Sequence, residues 1–249
     1  MRELRQCLLV LAWLPALSAS AAEVRLAVGL PKPPYVEAGG QTGLESALAI
    51  AVLSQAGHQI KVVQVPQARG LAMLKEGQVD AMLTLTPATS EGLYYSQPLI
   101  YYRNRAITLQ RSGVVLLQVS DLARYTVASF QNARLLFGNE FAAAVARSPG
   151  YSEHADQDTL NRLLLNRRVD VIVGDEYIFR ANPTQTDLNG QRFNIVSYAL
   201  FGNSPRHVGF ASQTLRQQFD AALLKLKASG EYERISQYYR QRYRLPATP

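Results

Sequence analysis

Several side chains suited to holding a polar ligand follow the apolar segments of this sequence. Thr84 and Thr86 end the segment "VDAMLTLT", where their hydroxyls would either donate hydrogen bonds to a ligand or cap a turn. Tyr35 ends "LPKPPY", where its ring would either line a pocket or form a hydrophobic lid. These residue types indicate non-covalent capture of a small molecule.

Four charged or polar residues stand where helices are predicted to begin. Asp175 in "VGDEY" is suited to capping the helix "EYIFRA". Arg69 in "PQARGL" lies at a helix start, where the helix dipole disfavours a cation, so it is either solvated or held there to bind an anion. Asn132 and Arg134 in "SFQNARL" open a helix whose backbone N–H groups can hold an anion.

The sequence lacks the usual signatures of an enzyme or a metal site. It has no nucleotide-binding loop, no His-Glu-x-x-His and no Gly-x-Ser-x-Gly motif. His58, His154 and His207 are far apart, and the single cysteine, Cys7, lies in the N-terminal segment. We therefore expect no catalytic residue, no metal and no cofactor.

The elements that must position these residues alternate between strands and helices. "VRLAVG" and "VDAMLTLT" read as buried strands, and Gly43–Gly57 reads as a helix. The segment "DTLNRLLLNRR" reads as a helix capped by Asp158. The order strand–helix–strand–helix–strand predicts an α/β fold with parallel strands.

The segment "LKEGQVDAML" is echoed 90 residues later by "LLNRRVDVIV". The echo marks the same step, from the end of a helix into a strand, in two similar lobes. Asp80 and Asp170 are predicted to fix this turn and to take no part in chemistry.

The N-terminus has the layout of a secretory signal peptide. Two arginines precede the apolar run "CLLVLAWLPALSA", and small residues follow it, which predicts a signal peptide over residues 1–22. The mature chain would then carry no thiol and no lipid anchor. We expect it in the periplasm of a Gram-negative bacterium.

The net charge of +7 is spread along the chain and ends in the tail "YERISQYYRQRYRL". Arginine mixed with tyrosine is compatible with nucleic-acid binding, but it also describes a solvated terminal helix. An exported protein without a nucleic-acid motif favours the second reading, so no nucleic-acid partner is expected.

Taken in order, these motifs resemble those of type II periplasmic solute-binding proteins, family 3, the polar amino-acid type. The resemblance is carried by the "PPY" loop, "LKEGQVDAML" before "YYSQPLIYY", "LLNRRVDVIVGDEY", and the closing "LLKLKASGEYERISQYY". It implies two lobes, each a sheet flanked by helices, joined by two hinge strands. Lobe 1 would comprise residues 23–104 plus 203–249, and lobe 2 residues 105–202.

The resemblance also assigns roles inside a cleft that closes by hinge motion. It implies that Asp175 receives a ligand ammonium group, and we expect Tyr35 to lie on the opposite side of the gap between the lobes. Members that bind α-amino acids carry an arginine where this chain has Thr89, which cannot clamp a carboxylate by charge. An amino acid held in the ordinary way is therefore in question.

Three functions remain open at this point. The first is capture of a small polar solute, an amino acid or related compound, by a monomer that serves an inner-membrane ABC permease. The second is ligand sensing through a receptor or sensor kinase. The third is a cyclohexadienyl-dehydratase-like activity, in which Asp175 or Glu176 would be the carboxylic acid. The predicted ligand-binding set is Tyr35, Arg69, Thr84, Thr86, Asn132, Arg134 and Asp175.

Overall fold

The computed structural model describes residues 23–87, 91–182 and 193–246. The predicted signal peptide over residues 1–22 lies outside the described residues, and so does Thr89. Within the described ranges, no helix combines the length and apolar content needed to cross a membrane.

The first sheet is built around the predicted parallel unit. β1 (Glu23–Val28) pairs in parallel with β2 (Gln59–Gln64) and with β3 (Ala81–Leu85). The crossovers are α1 (Leu44–Gln55) and α2 (Gln67–Lys75). The carboxyl ends of β1 and β3 therefore share one edge, where ligands of open α/β sheets usually bind.

Antiparallel strands complete this sheet. β4 (Tyr94–Tyr95) and β5 (Ile100–Tyr102) both pair with the last strand, β11 (Ser204–Phe210), which also pairs with β3. The strand order is β2-β1-β3-β11-β4, with β5 beside β11. A chain segment from the far end of the sequence thus closes the first sheet.

The second sheet contains five strands in the order β10-β6-β9-β7-β8. They are β6 (Asn104–Leu109), β7 (Val127–Phe130), β8 (Tyr151–His154), β9 (Val171–Asp175) and β10 (Ile195–Tyr198). The helices around it are α3 (Ala133–Ala146), α4 (Gln157–Leu165) and α5 (Glu176–Ala181), with 3₁₀ turns at Gln110–Ser112 and Val119–Arg124. The two sheets with their helices form the mixed α/β, two-lobed architecture expected from the sequence.

The helix predicted at "DTLNRLLLNRR" forms, but its cap was wrongly assigned to Asp158. Asp156 is the N-cap of α4, and its carboxylate accepts the backbone N–H of Asp158 at 3.0 Å. The helix begins one residue before Asp158, so Asp158 lies in its first turn.

The echoed segments make the same hydrogen bonds in both lobes. Asp80 Oδ2 accepts the backbone N–H of Arg25 at 2.8 Å, and Asp170 Oδ2 accepts that of Thr126 at 2.8 Å. Each aspartate also donates its own N–H back, to the carbonyl of Arg25 or Thr126 respectively. The two residues therefore tie neighbouring strands together at the edge opposite the carboxyl ends of those strands.

The C-terminal helices α6 (Gln213–Ala228) and α7 (Glu231–Arg242) cover α1. On α6, Phe219, Ala222, Leu223 and Leu226 are buried and Leu215 is partly buried against the same core. Full burial of a side chain such as Phe219 stabilises the fold by about 2 kcal/mol.

The chain crosses between the sheets at Arg103 and returns over residues 199–203. The lobes also share packing, because Tyr177 and Ile178 at the start of α5 belong to the apolar core of the first sheet. The boundaries at residues 104/105 and 202/203 are retained as a proposal. We call the region where these crossings and α5 meet the first sheet the lobe junction.

Candidate ligand site at the lobe junction

Tyr35 and Asp175 meet directly at the lobe junction. The Tyr35 hydroxyl donates to Asp175 Oδ2 at 3.0 Å, and both residues are buried. The expectation that these two side chains face each other across a ligand space is therefore wrong for this structure. They form a direct hydrogen bond between the lobes.

Asp175 is fully occupied by protein donors. Its Oδ1 accepts the backbone N–H groups of Tyr177 and Ile178, both at 2.9 Å, which is the helix cap predicted from the sequence. Its Oδ2 accepts Tyr35 and the backbone N–H of Arg103, the latter at 2.6 Å. Burial raises the pKa of Asp175, while these four hydrogen bonds act in the opposite direction.

Tyr102, the last residue of β5, is the centre of the junction. Its ring stacks on Tyr35 with 4.1 Å between centroids, and its hydroxyl donates to Glu45 Oε2 at 2.9 Å. Two cations lie over the same ring, Arg206 at 4.7 Å and Lys32 at 5.4 Å from the centroid. Burial raises the pKa of Tyr102 well above its ordinary value, so its hydroxyl stays protonated as a donor.

Glu45 is a buried carboxylate held by hydroxyl groups. It lies in the first turn of α1 at 1% exposure, and Thr84 donates to it at 2.9 Å. The Thr84 hydroxyl in turn accepts Lys32 Nζ at 3.0 Å. Burial lowers the pKa of Lys32, and the Arg206 charge lowers it further, although Glu45 partly offsets both effects.

Thr84 is placed by strained backbone. It is a β-branched residue with φ of 61°, a conformation that costs of the order of 1–3 kcal/mol. The strain coincides with a register shift opposite His207 and Gly209, where β3 carries an extra residue relative to β11. The bulge aims the hydroxyl of Thr84 into the junction.

The second lobe contributes a compact ion cluster. Glu176 Oε1 accepts Arg180 Nε at 2.9 Å, and its Oε2 lies 4.0 Å from both Arg103 Nη2 and Arg105 Nε. Arg103 also donates to the Tyr177 hydroxyl at 2.9 Å. The junction therefore gathers charged groups from both lobes.

Asn132 and Arg134 do open α3, but a carboxylate of the chain itself occupies the predicted anion position. Glu153 accepts the backbone N–H of Asn132 at 2.7 Å and that of Arg134 at 3.0 Å. Burial raises the pKa of Glu153, but these N–H groups, the Tyr151 hydroxyl and the Arg134 charge together hold it below its ordinary value. The Arg134 side chain is largely exposed and pairs with the same carboxylate at 3.6 Å.

The two remaining predicted residues lie at the margin of this network. Arg69 is exposed near the start of α2, and its Nη2 reaches Gln78 Oε1 at 3.4 Å. Thr86 is half-buried just after β3. The structure brings Tyr35, Thr84 and Asp175 into the junction and leaves Arg69 outside its hydrogen bonds.

Sequence reasoning did not single out Lys32, Tyr102 or Arg206. A signal for Arg206 was present, because it shares the inward face of β11 with Val208 and Phe210 at alternate positions. A charged residue on the apolar face of a strand departs from the pattern and points to a polar interior. Lys32, in a short loop of prolines, carried no comparable signal.

The structure also contains two hollows. One, of about 340 Å³, is lined by residues of α3 such as Phe137 and by the return crossing and the start of β11 (200–205), and the other, of about 550 Å³, is lined by residues between 113 and 125. Neither involves a predicted ligand-binding residue. Among the residues that the structure describes, no group of three or more His, Cys, Asp or Glu side chains is arranged to hold a metal ion.

The chain was compared in sequence with protein families and with curated proteins. The sequence model of the bacterial extracellular solute-binding proteins, family 3, matches residues 24–242. No curated protein matches the chain in sequence. The family match covers almost all of both lobes.

Solved structures share the fold at low sequence identity. An amino acid ABC transporter substrate-binding protein from Streptococcus pneumoniae, bound to L-arginine, has a TM-score of 0.70 at 17% identity, covering 89% of this chain and 96% of its own. The GluR0 ligand-binding core with L-glutamate has a TM-score of 0.71 at 19% identity, covering 88% and 99%. An ancestral amino acid-binding protein, a precursor of cyclohexadienyl dehydratase, has a TM-score of 0.70 at 15% identity, covering 88% and 95%.

Proposed function

Because the chain belongs to the bacterial extracellular solute-binding proteins of family 3, we propose that it captures a small polar solute between its lobes. In this proposal the solute is an amino acid or a related compound. The protein is a periplasmic monomer, exported by a signal peptide over residues 1–22, and delivers the solute to an inner-membrane ABC permease.

The observation that carries the proposal is the set of charged groups from both lobes at the junction. Lys32, Glu45 and Arg206 come from a loop, helix α1 and strand β11 of the first lobe, and Arg103 and Glu176 come from the crossing and the start of α5. Burying charge is costly unless it serves pairing or ligand binding, and an apolar junction would hold the lobes together equally well. A bound polar solute would pair with these charged groups and offset the cost of burying them.

Of the predicted ligand-binding set, Thr84 is the residue best placed to reach such a solute. It is half-buried and joined to both Lys32 and Glu45, and Thr86 follows it at the end of the same strand. Arg69, Asn132 and Arg134 remain proposed ligand contacts, although they lie outside the hydrogen-bond network of the lobe junction. Tyr35 and Asp175 link the two lobes through their hydrogen bond and do not contact the solute directly.

The dehydratase alternative receives less support from the same geometry. Such an enzyme needs a carboxylic acid free to transfer a proton to its substrate. Asp175 is held by four donors, and Glu176 is engaged by arginines. Binding without turnover is the function that this arrangement supports best.

A thermal-shift screen of the purified mature protein tests the proposal. The panel contains amino acids, polyamines, organic acids and short peptides at millimolar concentration. A solute that binds only the folded state must raise the melting temperature in a concentration-dependent way. A panel in which no member shifts the melting temperature would contradict solute capture.

Transport and sensing share this binding step and differ in the next one. Deletion of the gene should abolish uptake of the bound solute if the protein serves an importer. Unchanged uptake in the deletion strain, with a lost transcriptional response to the solute, would assign the protein to sensing instead.

A further inference from the structure

The carboxylates of the lobe junction are satisfied by the protein itself. Glu45 accepts the hydroxyls of Thr84 and Tyr102, and Asp175 accepts four donors. Glu176 accepts Arg180 and lies between two further arginines. A ligand ammonium group would find no free carboxylate among these three.

The donors of the junction are, by contrast, in surplus. Arg206 is only 7% exposed, yet among the described residues its hydrogen bonds go to Ser204 Oγ and the Pro205 carbonyl, both through Nη1. No carboxylate within the described ranges forms an ion pair with it. Its Nε and Nη2 hydrogens are therefore unused within the part of the chain that the structure describes.

Two further side chains of the junction add to this surplus. Lys32 carries three ammonium hydrogens and makes one hydrogen bond, to Thr84, with no ion pair among the described residues. Asn104, the first residue of β6, is 2% exposed, and its Nδ2 has no hydrogen-bond partner there. Lys32 and Arg206 both lie over the Tyr102 ring, and the Arg206 charge helps to lower the pKa of Lys32 after burial, so the two cations are near each other.

At 7% exposure the Arg206 guanidinium keeps little of its hydration and has no counter-ion among the described residues, which is unfavourable. The planar fork of arginine matches a carboxylate, which can accept two parallel hydrogen bonds. An ammonium group beside it adds a second positive charge and further donors. The chemistry that satisfies all of these groups is that of an organic anion.

We propose that Arg206 and Lys32 receive the carboxylate of an organic acid that lacks an ammonium group, with the Asn104 amide as an additional donor. This inference rests on the proposed function and names the class of solute. It differs from amino-acid binding because the junction provides cationic donors without a free carboxylate for the ligand ammonium.

The test compares matched probes on the purified mature protein by thermal shift and isothermal titration calorimetry. The acids are propionate, succinate, glutarate and benzoate, the amines are 1,4-diaminobutane and 1,5-diaminopentane, and the zwitterions are L-glutamate, L-glutamine and L-arginine. At least one acid should raise the melting temperature, and neither amine should. L-Glutamate should bind more weakly than glutarate, which lacks its ammonium group.

Variants then test the two cations. Arg206→Gln and Lys32→Gln should each raise the Kd of the bound acid by roughly tenfold or more, as expected for loss of a charged hydrogen bond. Arg124→Gln and Lys61→Gln remove exposed charges of the same types elsewhere and should leave the Kd within about twofold. If Arg206→Gln does not fold, Arg206→Lys and Lys32→Gln provide the same comparison.

The outcomes separate this inference from the proposed function. Binding confined to amines or zwitterions would overturn the inference and leave solute capture standing. Binding of an acid with unchanged Kd in both glutamine variants would overturn the assignment to Arg206 and Lys32. A complete lack of binding across the three classes would overturn solute capture, and this inference with it.

Discussion

At the scale of single residues, the Asp175 carboxylate both caps a helix and forms a hydrogen bond between the lobes. As an N-cap it binds the amides of Tyr177 and Ile178, and as a link between lobes it binds Tyr35 and the amide of Arg103. The sequence predicted the cap, since Asp before a helix is a common pattern. The contact with Tyr35 joins residues 140 positions apart, which no local pattern reveals.

Replacing Asp175 should therefore affect stability before it affects binding. Asp175→Ala leaves a buried tyrosine hydroxyl and three backbone N–H groups without their acceptor, and we expect a loss of about 3 kcal/mol. For a chain of this size that corresponds to a melting temperature lower by roughly 6–12 °C, measurable by circular dichroism.

Asp156→Ala is the matched control for this prediction. Asp156 also caps a helix, but it is exposed, so its removal should cost about 1 kcal/mol. Equal losses in the two variants would show that Asp175 acts as a cap alone and that its contact with Tyr35 contributes nothing to stability.

At the scale of elements, the start of α3 shows a helix N-terminus satisfied from within the protein. Glu153 on β8 supplies the negative charge that the exposed amides of Asn132 and Arg134 attract. The predicted site had the correct chemistry, but the occupant was a side chain of the same lobe. The strand that carries Glu153, "YSEH", is short and polar and was not predicted at all.

This contact predicts a specific pH dependence. The pKa of Glu153 in the folded protein lies below its ordinary value of 4.5, so its contribution to stability is complete above about 4.5 and is lost as the pH falls through the lower folded value. Glu153→Gln should remove that part of the acid sensitivity, measured as urea midpoints between about pH 3 and 7. Glu140→Gln, an exposed change on α3, should leave the profile unchanged.

The regular elements were predictable because their signals are local. The parallel unit of β1, β2 and β3 was predictable because its apolar strand segments alternate with segments of helical periodicity, and each of those helical segments ends near a glycine. The aspartates of the echoed segments occupy equivalent places, because both tie strand starts together away from the carboxyl ends. Each of these features depends on residues close in sequence or on a repeated pattern.

The candidate site was less predictable because it depends on long-range packing. Arg206 meets Tyr102 across more than 100 positions, and Thr84 faces Glu45 only because a bulge in β3 turns it there. The strained backbone of Thr84 depends on the pairing register of β3 with β11. The sequence of neither strand specifies that register alone.

At the scale of the whole molecule, the two lobes are joined by more than their crossing strands. Tyr177 and Ile178 leave the second sheet and enter the apolar core of the first, and the Tyr177 hydroxyl donates to the Pro246 carbonyl at 2.9 Å. Shared apolar packing couples the unfolding of two lobes, because neither can open without exposing part of the other.

The chain should therefore unfold in one cooperative transition. Differential scanning calorimetry should give a calorimetric enthalpy equal to the van't Hoff enthalpy. Ile178→Ala should cost about 2–4 kcal/mol and broaden or divide the transition, since it leaves a cavity in the core that both lobes share. Leu224→Ala, at a residue that is 67% exposed, should change neither the midpoint nor the width of the transition. Two separate transitions in the unaltered protein would show instead that the lobes are thermodynamically independent and that the contacts of Tyr177 and Ile178 do not couple them.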